Sequence, residues 1–169
     1  VFKNNIENKF SNVECILTGD NLGYGRANNI GLRKVSTKYS LILNPDTILE
    51  KKTISNFFIF LKRDINFAIL GPSQSRDDSE LEIHEYNYTN LLKVSSVKGF
   101  AMFLNMSKFL DINFFDENFF LYLEEIDLCK RLTKIKENIY VDKNIKIFHY
   151  GGKSVNKTYS HEIELTRNW

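Results

Sequence analysis

Three short apolar segments that alternate with two stretches of helical periodicity constrain the fold of this chain more than any other feature. The apolar segments cover residues 13–17, 39–43 and 67–70, and the helical stretches cover residues 24–35 and 51–63. Strands that are apolar throughout and separated by helices are typical of a parallel sheet with both faces covered. We therefore predict an α/β fold with a mostly parallel central sheet flanked by helices.

The second half of the chain extends this pattern with less regular elements. Residues 73–92 are polar and irregular, which indicates an excursion over the surface. Residues 94–104 are expected to be extended, and residues 121–135 are expected to form a helix that buries Leu128, Leu132 and Ile135. Residues 139–141 and 145–148 are expected to form two short closing strands.

Composition supports one globular domain over residues 1–169. Hydrophobic residues make up 43% of the chain and aromatic residues 14%, which excludes a disordered chain. The net charge of +2 is too small to indicate a nucleic-acid partner. Basic pairs such as Lys51-Lys52 are usually solvated helix faces and only occasionally contact anionic lipid.

Cysteine use and hydropathy indicate a cytoplasmic location. Cys15 and Cys129 are the only cysteines, and neither lies in a C-x-x-C motif. No apolar run reaches the roughly 18 residues of a membrane span, and no signal peptide is present. Peripheral association with the inner face of the cell membrane is the alternative. The chain opens on Val1 without a start methionine, so an upstream segment is expected to be missing.

Asn44-Pro45-Asp46 follows the second predicted strand. A carboxylate at the carboxyl end of a central strand faces the ligand crevice, where a divalent cation could link it to a diphosphate. A simple turn explains the same tripeptide, because Asn, Pro and Asp all favour turns. Taken alone, the turn is favoured by roughly two to one.

Residues 21–29 run from a strand into a helix and contain Gly23 and Gly25. Glycines let the backbone approach a ligand, and a helix N-terminus favours an anion. The spacing excludes the dinucleotide motif G-x-G-x-x-G. An ordinary loop leading into a helix explains the segment about as well.

Glu124, Glu125 and Asp127 follow a strongly aromatic run that includes Tyr122. Clustered carboxylates beside aromatic surface can raise one pKa and produce a general base. Alternatively, they complement the helix dipole, with Asp127 paired to Arg131 at i, i+4. For Glu124 and Glu125 the functional interpretation is favoured.

Two further positions could belong to a site. His149 lies on the same strand face as Ile145 and Ile147 and precedes a glycine pair, where a histidine could serve a flexible site loop. Gly99 interrupts an extended apolar run, which indicates a bulge or a close approach by ligand or backbone.

Five of these segments, taken in order, resemble the family 2 glycosyltransferases. They read N-x-G-x-G-x-A-x-N at 21–29, L-x-L-N-P-D at 41–46, G-x-x-M at 99–102, F-L-Y-x-E-(E/D)-x-D-L-x-x-R at 120–131 and H-x-x-G-x-S at 149–154. The most similar subgroup is the bacterial rhamnosyltransferase-like enzymes that assemble cell-surface polysaccharides. The resemblance implies the GT-A fold, N-terminally truncated, because the opening strand, helix and strand that hold the nucleotide are missing.

The resemblance also implies roles for particular residues. Asp46 would be the metal-binding carboxylate of the D-x-D motif, with Asn44 in place of the first Asp, and His149 would complete the hold on Mn²⁺ or Mg²⁺. Glu125 occupies the position of the catalytic base, with Glu124 and Asp127 as alternatives. The implied substrate-binding positions are Asn21, Gly23, Arg26, Asn44, Gly99 and Tyr122.

The implied activity is metal-dependent, inverting transfer of a sugar from a nucleotide-diphosphate donor. The acceptor would be a hydroxyl of a cell-surface glycan or a lipid-linked molecule. One alternative is a nucleotidyltransferase that makes nucleotide sugars, and another is a non-catalytic remnant that binds a sugar or a partner. The acidic pair and the terminal His-Tyr-Gly-Gly favour transfer to an acceptor over nucleotidyl transfer.

Overall fold

The computed structural model of the protein describes residues 2–75 and 85–151. The helices in these ranges are α1 (Phe2–Lys9), α2 (Gly23–Leu32), α3 (Thr53–Leu61) and α4 (Glu124–Lys134). The strands are β1 (Tyr39–Leu43), β2 (Thr47–Leu49), β3 (Ile69–Ser75), β4 (Leu91–Lys93), β5 (Ala101–Asn105) and β6 (Ile139–His149). No helix in this part of the chain is long and apolar enough to cross a bilayer.

The strands form one sheet in the order β1-β5-β3-β6-β2, and β4 pairs with the first half of β6. Side chains alternate between the two faces along each strand. On one face, Phe57 and Phe60 of α3 pack with Phe67 and Phe103. On the other face, α2 and α4 supply Leu32, Leu128 and Leu132 to a second core. Both faces are thus covered by helices, which confirms the predicted α/β architecture.

The expectation of a mostly parallel sheet is wrong for the described strands. Only β3 and β6 pair in parallel, whereas β5 runs antiparallel to both β1 and β3 and lies between them. A run of apolar residues predicts a buried strand but not its direction. The sheet is therefore mixed.

Residues 13–17 do not form the buried strand that was predicted. No strand is assigned there, and Leu17 is 73% exposed. A strand needs a neighbouring backbone to satisfy its hydrogen bonds, and no described strand pairs with this segment.

Two helices bury partly different faces from those that their residue spacing predicts, which for α2 is the face of Ala27, Ile30, Gly31 and Val35. On α2, Gly25, Asn29 and Leu32 are buried. The Asn29 side chain donates to the Phe115 carbonyl and accepts from the Phe115 N–H, at 2.9 and 3.0 Å, so a polar contact determines the face. On α4, Leu128 and Leu132 are buried as predicted, but Ile135 lies beyond the last turn and is 50% exposed.

β6 is one long strand where two short ones were expected. Its register against β3 shifts after Pro72, so residues 143–145 of β6 have no partner on β3. β3 itself continues through Pro72 to Ser75. Proline cannot donate a ladder hydrogen bond, so within a strand it is tolerated at such an irregularity. β1, β3 and β6 run in the same direction, so all three end at the same edge of the sheet.

Candidate functional site

A cavity of about 570 Å³ opens at the edge where β1, β3 and β6 end and β5 begins. This is where ligands bind in sheets of this class. Its lining comes from six separate stretches of chain: Asn21, Gly23, Tyr24, Asn44, Pro45, Asp46, Gln74, Lys98, Gly99, Phe100, Phe120, Leu121, Tyr122, Glu124, Glu125 and His149. Nine of the eleven predicted site residues are among them.

Asp46 and His149 face each other on one side of the cavity. β2 pairs with the end of β6, and the Tyr150 N–H donates to the Asp46 carbonyl at 3.0 Å, so the backbone fixes both residues. The His149 ring stacks on Phe100, with centroids 4.8 Å apart. His149 Nε2 lies 3.3 Å from Asp46 Oδ1. That oxygen is buried and accepts no hydrogen bond from the described residues.

The Asp46–His149 pair has the donor atoms and the spacing of two ligands on one divalent cation. Adjacent ligands of an octahedral ion with bonds of about 2.0–2.1 Å lie about 3 Å apart, close to the 3.3 Å seen here. A carboxylate oxygen suits Mg²⁺ and Mn²⁺, and an imidazole nitrogen is a ligand of several transition metals. Within residues 2–75 and 85–151, no cluster of three or more His, Cys, Asp or Glu could hold a metal. A cation at this pair would therefore take its remaining ligands from outside such a cluster.

Glu124 and Glu125 lie on another wall of the cavity, at the first turn of α4. Tyr122 and Leu123, directly before them, both have left-handed backbone, with φ of 68° and 75°. That conformation is costly for residues with side chains and is concentrated at functional sites. The abrupt turn brings both carboxyl groups to the cavity at the start of the helix.

The surroundings of these two carboxyl groups favour protonation more than water does. Burial raises the pKa of Glu124 above its usual range, with a further contribution from the charge of Glu125. Burial also raises the pKa of Glu125. Glu124 is only 4% exposed, and its Oε2 accepts no hydrogen bond from the described residues. A buried carboxyl oxygen without a donor is costly unless a ligand supplies one.

Gly23 allows two walls of the cavity to come together, whereas a side chain at Gly99 would meet only ordinary contacts. Gly23 has φ of +76°, and a Cβ on it would lie 2.1 Å from the Phe120 carbonyl oxygen. At Gly99, a Cβ would contact the Tyr24 hydroxyl at 3.4 Å and the Glu125 side chain at 3.8 Å. The Tyr24 hydroxyl donates a hydrogen bond to the Gly99 carbonyl. Tyr24 therefore joins the start of α2 to the segment that faces Glu125.

Arg26 and Asp127 are the two predicted site residues that do not line the cavity. Arg26 Nε donates to the Glu117 carbonyl at 2.7 Å. Asp127 Oδ2 accepts from Arg131 Nε at 2.7 Å, as the i, i+4 spacing predicted. The last two positions of the motif at 149–154, Gly152 and Ser154, lie outside the described residues.

Sequence reasoning assigned no role to seven lining residues: Tyr24, Pro45, Gln74, Lys98, Phe100, Phe120 and Leu121. Gln74 lies near the carboxyl end of β3, which had been predicted to stop before Gly71. A prediction that continued this strand to Ser75 would have placed Gln74 among the candidate site residues, because strand ends face the crevice. Lys98 is next to Gly99, and its Nζ donates to Gln74 Oε1 at 2.8 Å.

Comparisons with known proteins show the family and the fold to which the chain is similar. The sequence model of the family described as Glycosyl transferase family 2 matches residues 3–129. The low-salt glycan biosynthesis hexosyltransferase Agl10 of Haloferax volcanii is 27% identical over 149 residues, which cover 75% of this chain and 48% of the relative. The rhamnosyltransferase WbbL of Escherichia coli K12 is 25% identical over 168 residues, which cover 79% of this chain and 63% of the relative.

Among solved structures, the mannosyltransferase PcManGT from Pyrobaculum calidifontis, in complex with GDP-Man and Mn²⁺, superposes with a TM-score of 0.65. The match covers 97% of this chain and 46% of that protein, at 12% identity. At this identity the likeness shows the fold, which is of the GT-A type. The chain spans between about half and two thirds of the length of the curated relatives that it matches.

Proposed function

The chain belongs to glycosyl transferase family 2, and on that premise we propose that it moves a sugar from a nucleotide-diphosphate donor to an acceptor hydroxyl with inversion. One observation carries the proposal. A single cavity brings together a cation-binding pair, Asp46 and His149, and a pair of buried acids, Glu124 and Glu125. A leaving diphosphate and an attacking hydroxyl need these two kinds of group.

The diphosphate of the donor is placed beside Asp46 and His149. These side chains would hold a divalent cation, Mn²⁺ or Mg²⁺, with the buried Oδ1 and with Nε2. When bound, the cation would supply positive charge beside the diphosphate. Asn44, on the same loop, accepts a hydrogen bond from Thr47 Oγ1 at 2.7 Å through its carbonyl. That contact holds the turn so that Asp46 stays directed at the cavity.

Glu125 is proposed as the base. It takes the proton from the acceptor hydroxyl, and the oxygen forms a bond to the anomeric carbon as the bond to the diphosphate breaks on the opposite face. A carboxyl group whose pKa is raised by burial is a stronger base than one in water. Because Oε2 of Glu124 has no donor among the described residues, we assign Glu124 to hold a substrate hydroxyl beside Glu125.

The donor sugar is proposed to be a hexose or deoxyhexose, and the acceptor a cell-surface glycan or a lipid-linked glycan. The named relatives transfer hexose and rhamnose, and the structural neighbour holds GDP-Man. Tyr122 and Leu121 line the cavity beside the acids, and aromatic surface is well suited to packing on a sugar ring.

The test is a transfer assay on the full-length protein with a panel of nucleotide sugars and a pool of soluble and lipid-linked glycans. We expect Mn²⁺-dependent release of nucleoside diphosphate with one donor, and a product of inverted anomeric configuration by NMR. Asp46→Asn is the control for metal dependence. A retained configuration, or release that is the same with chelator, would contradict the proposal.

A further inference from the structure

Lys98 is the one Lys or Arg among the described residues that line the cavity. Besides two tyrosines, the other ionisable lining groups are the carboxyl groups of Asp46, Glu124 and Glu125 and the imidazole of His149. An acidic lining of this kind repels a diphosphate, and transfer places additional negative charge on it. Lys98 is therefore the side chain through which the described lining can attract an anion directly.

The backbone on both sides of Lys98 is fixed by close packing. Val97 is 7% exposed and packs on Gly71, where a Cβ would lie 2.7 Å from Val97 Cγ1. Phe100 is 5% exposed and stacks on the His149 ring. Between these anchors, the Gly99 carbonyl accepts the Tyr24 hydroxyl. Lys98 is thus held at the mouth of the cavity by a rigid frame.

The Lys98 ammonium is also positioned by a partner on a neighbouring strand. Nζ donates to Gln74 Oε1 at 2.8 Å, and Gln74 stands opposite Ile147, two residues before His149 on β6. An ammonium has three N–H donors. Gln74 accepts one of these hydrogen bonds. Because its side chain is neutral, it does not offset the positive charge of Lys98.

We propose that Lys98, positioned by Gln74, forms an anion subsite that binds phosphate oxygens of a substrate. This rests on the proposed function, and it adds a binding residue that the family motifs in the sequence do not include. Two substrates could bring the phosphate: the diphosphate of the donor, or the phosphate group of a lipid-linked acceptor.

The experiment compares Lys98→Gln with Lys93→Gln in the full-length protein. Lys93 is an exposed lysine on β4 that does not line the cavity, so it controls for loss of one surface charge. Binding of GDP and of UDP with Mn²⁺ is measured by calorimetry. Binding to phosphatidylcholine vesicles with and without polyprenyl phosphate is measured by flotation. Melting temperatures should match the wild type, because the Lys98 side chain is exposed.

For Lys98→Gln we expect binding about 5- to 10-fold weaker than for Lys93→Gln, the scale of an exposed charged hydrogen bond. Weaker nucleotide binding identifies the donor diphosphate, and weaker binding to polyprenyl phosphate alone identifies the acceptor. Equal binding of the two variants to every probe overturns the subsite. Asp46→Asn runs alongside: if it binds Mn²⁺ and nucleotide like the wild type, the proposed metal site fails, whatever Lys98 does.

Discussion

Buried carboxyl groups lie at or beside the two ends of β6 in opposite situations. Near its start, Asp142 is fully buried, and its oxygens accept from the Asn144 N–H and side chain and from the Tyr86 hydroxyl. At its end, Oδ1 of Asp46 is buried beside His149 and accepts no hydrogen bond from the described residues. Buried polar groups that hold a fold are satisfied by the protein. The unsatisfied end is where we propose that a ligand binds.

Helix α4 repeats this contrast within one turn. Asp127 pairs with Arg131, whose guanidinium also donates to the Asn113 and Phe114 carbonyls and so secures the preceding loop. Glu124 and Glu125 instead face the cavity. We therefore distinguish acids that hydrogen-bond within the fold from acids that we propose take part in the chemistry, and each prediction tests one side of that distinction.

The largest effect is expected for Glu125→Gln. The change keeps the shape of the side chain but removes the base, so sugar transfer should fall by roughly 10²-fold or more, while affinity for Mn²⁺ and nucleotide stays nearly unchanged. Single-turnover transfer at saturating donor measures the effect. If Glu124→Gln gives this loss and Glu125→Gln keeps near-normal rates, we have assigned the base to the wrong acid.

The pH dependence of the wild type sharpens the same assignment. The base works only when deprotonated, and burial places the pKa of Glu125 above the ordinary 4.5. The transfer rate should therefore be full above that raised pKa and should fall as the pH drops through it. This acid limb should be absent from the residual rate of Glu125→Gln.

A smaller effect, on stability alone, is expected for Asp142→Asn. The new amide NH₂ lies where a carboxylate oxygen accepts from the Tyr86 hydroxyl or from Asn144, and an NH₂ group cannot accept. At least one of these hydrogen bonds is therefore lost or rearranged, so the free energy of unfolding should fall by about 1–3 kcal/mol. Burial, followed by the hydrogen bond to Asp142, raises the pKa of Tyr86 to about 12. Tyr86→Phe is the matched variant, expected to cost about 1 kcal/mol. Denaturant unfolding measures both, and an unchanged midpoint for Asp142→Asn would contradict the structural role.

The smallest effect is expected for Asp127→Asn. It weakens the partly exposed pair with Arg131, which contributes about 0.3–0.5 kcal/mol, and Arg131 keeps its two carbonyl contacts. Transfer rates should stay close to the wild type, because Asp127 does not line the cavity. A loss on the scale expected for Glu125→Gln would show that Asp127 takes part in the reaction.

The sequence predicted the strands and helices better than their arrangement. The apolar run at 67–70 and the helical spacing of Leu128 and Leu132 correspond to buried elements, and the run at 39–43 corresponds to β1, of which only Ile42 is buried. The insertion of β5 between β1 and β3 could not be predicted, because an apolar run does not carry strand direction. The strand predicted at 67–70 stops before Gly71-Pro72, whereas β3 continues through these two residues to Ser75 with a change of register against β6.

For the site, the motifs located residues that lie at strand ends and helix starts. Asp46, Glu125 and His149 are in such places, and the structure brings them to one cavity. Lys98 and Gln74 could not be predicted together, because their contact joins residues 24 positions apart through the packing of Val97 on Gly71. The left-handed backbone of Tyr122 likewise has no local signal, since such conformations are imposed by surrounding structure.

The most direct test of the contrast between the two ends of β6 is one melting experiment on the full-length protein. Wild type, Asp46→Asn and Asp142→Asn are heated with and without Mn²⁺ plus GDP or UDP. Ligand binding to the native state raises the melting temperature. Asp46→Asn should melt like the wild type without ligand and lose the ligand-induced rise, whereas Asp142→Asn should melt lower and keep it. A full rise in Asp46→Asn would contradict the account.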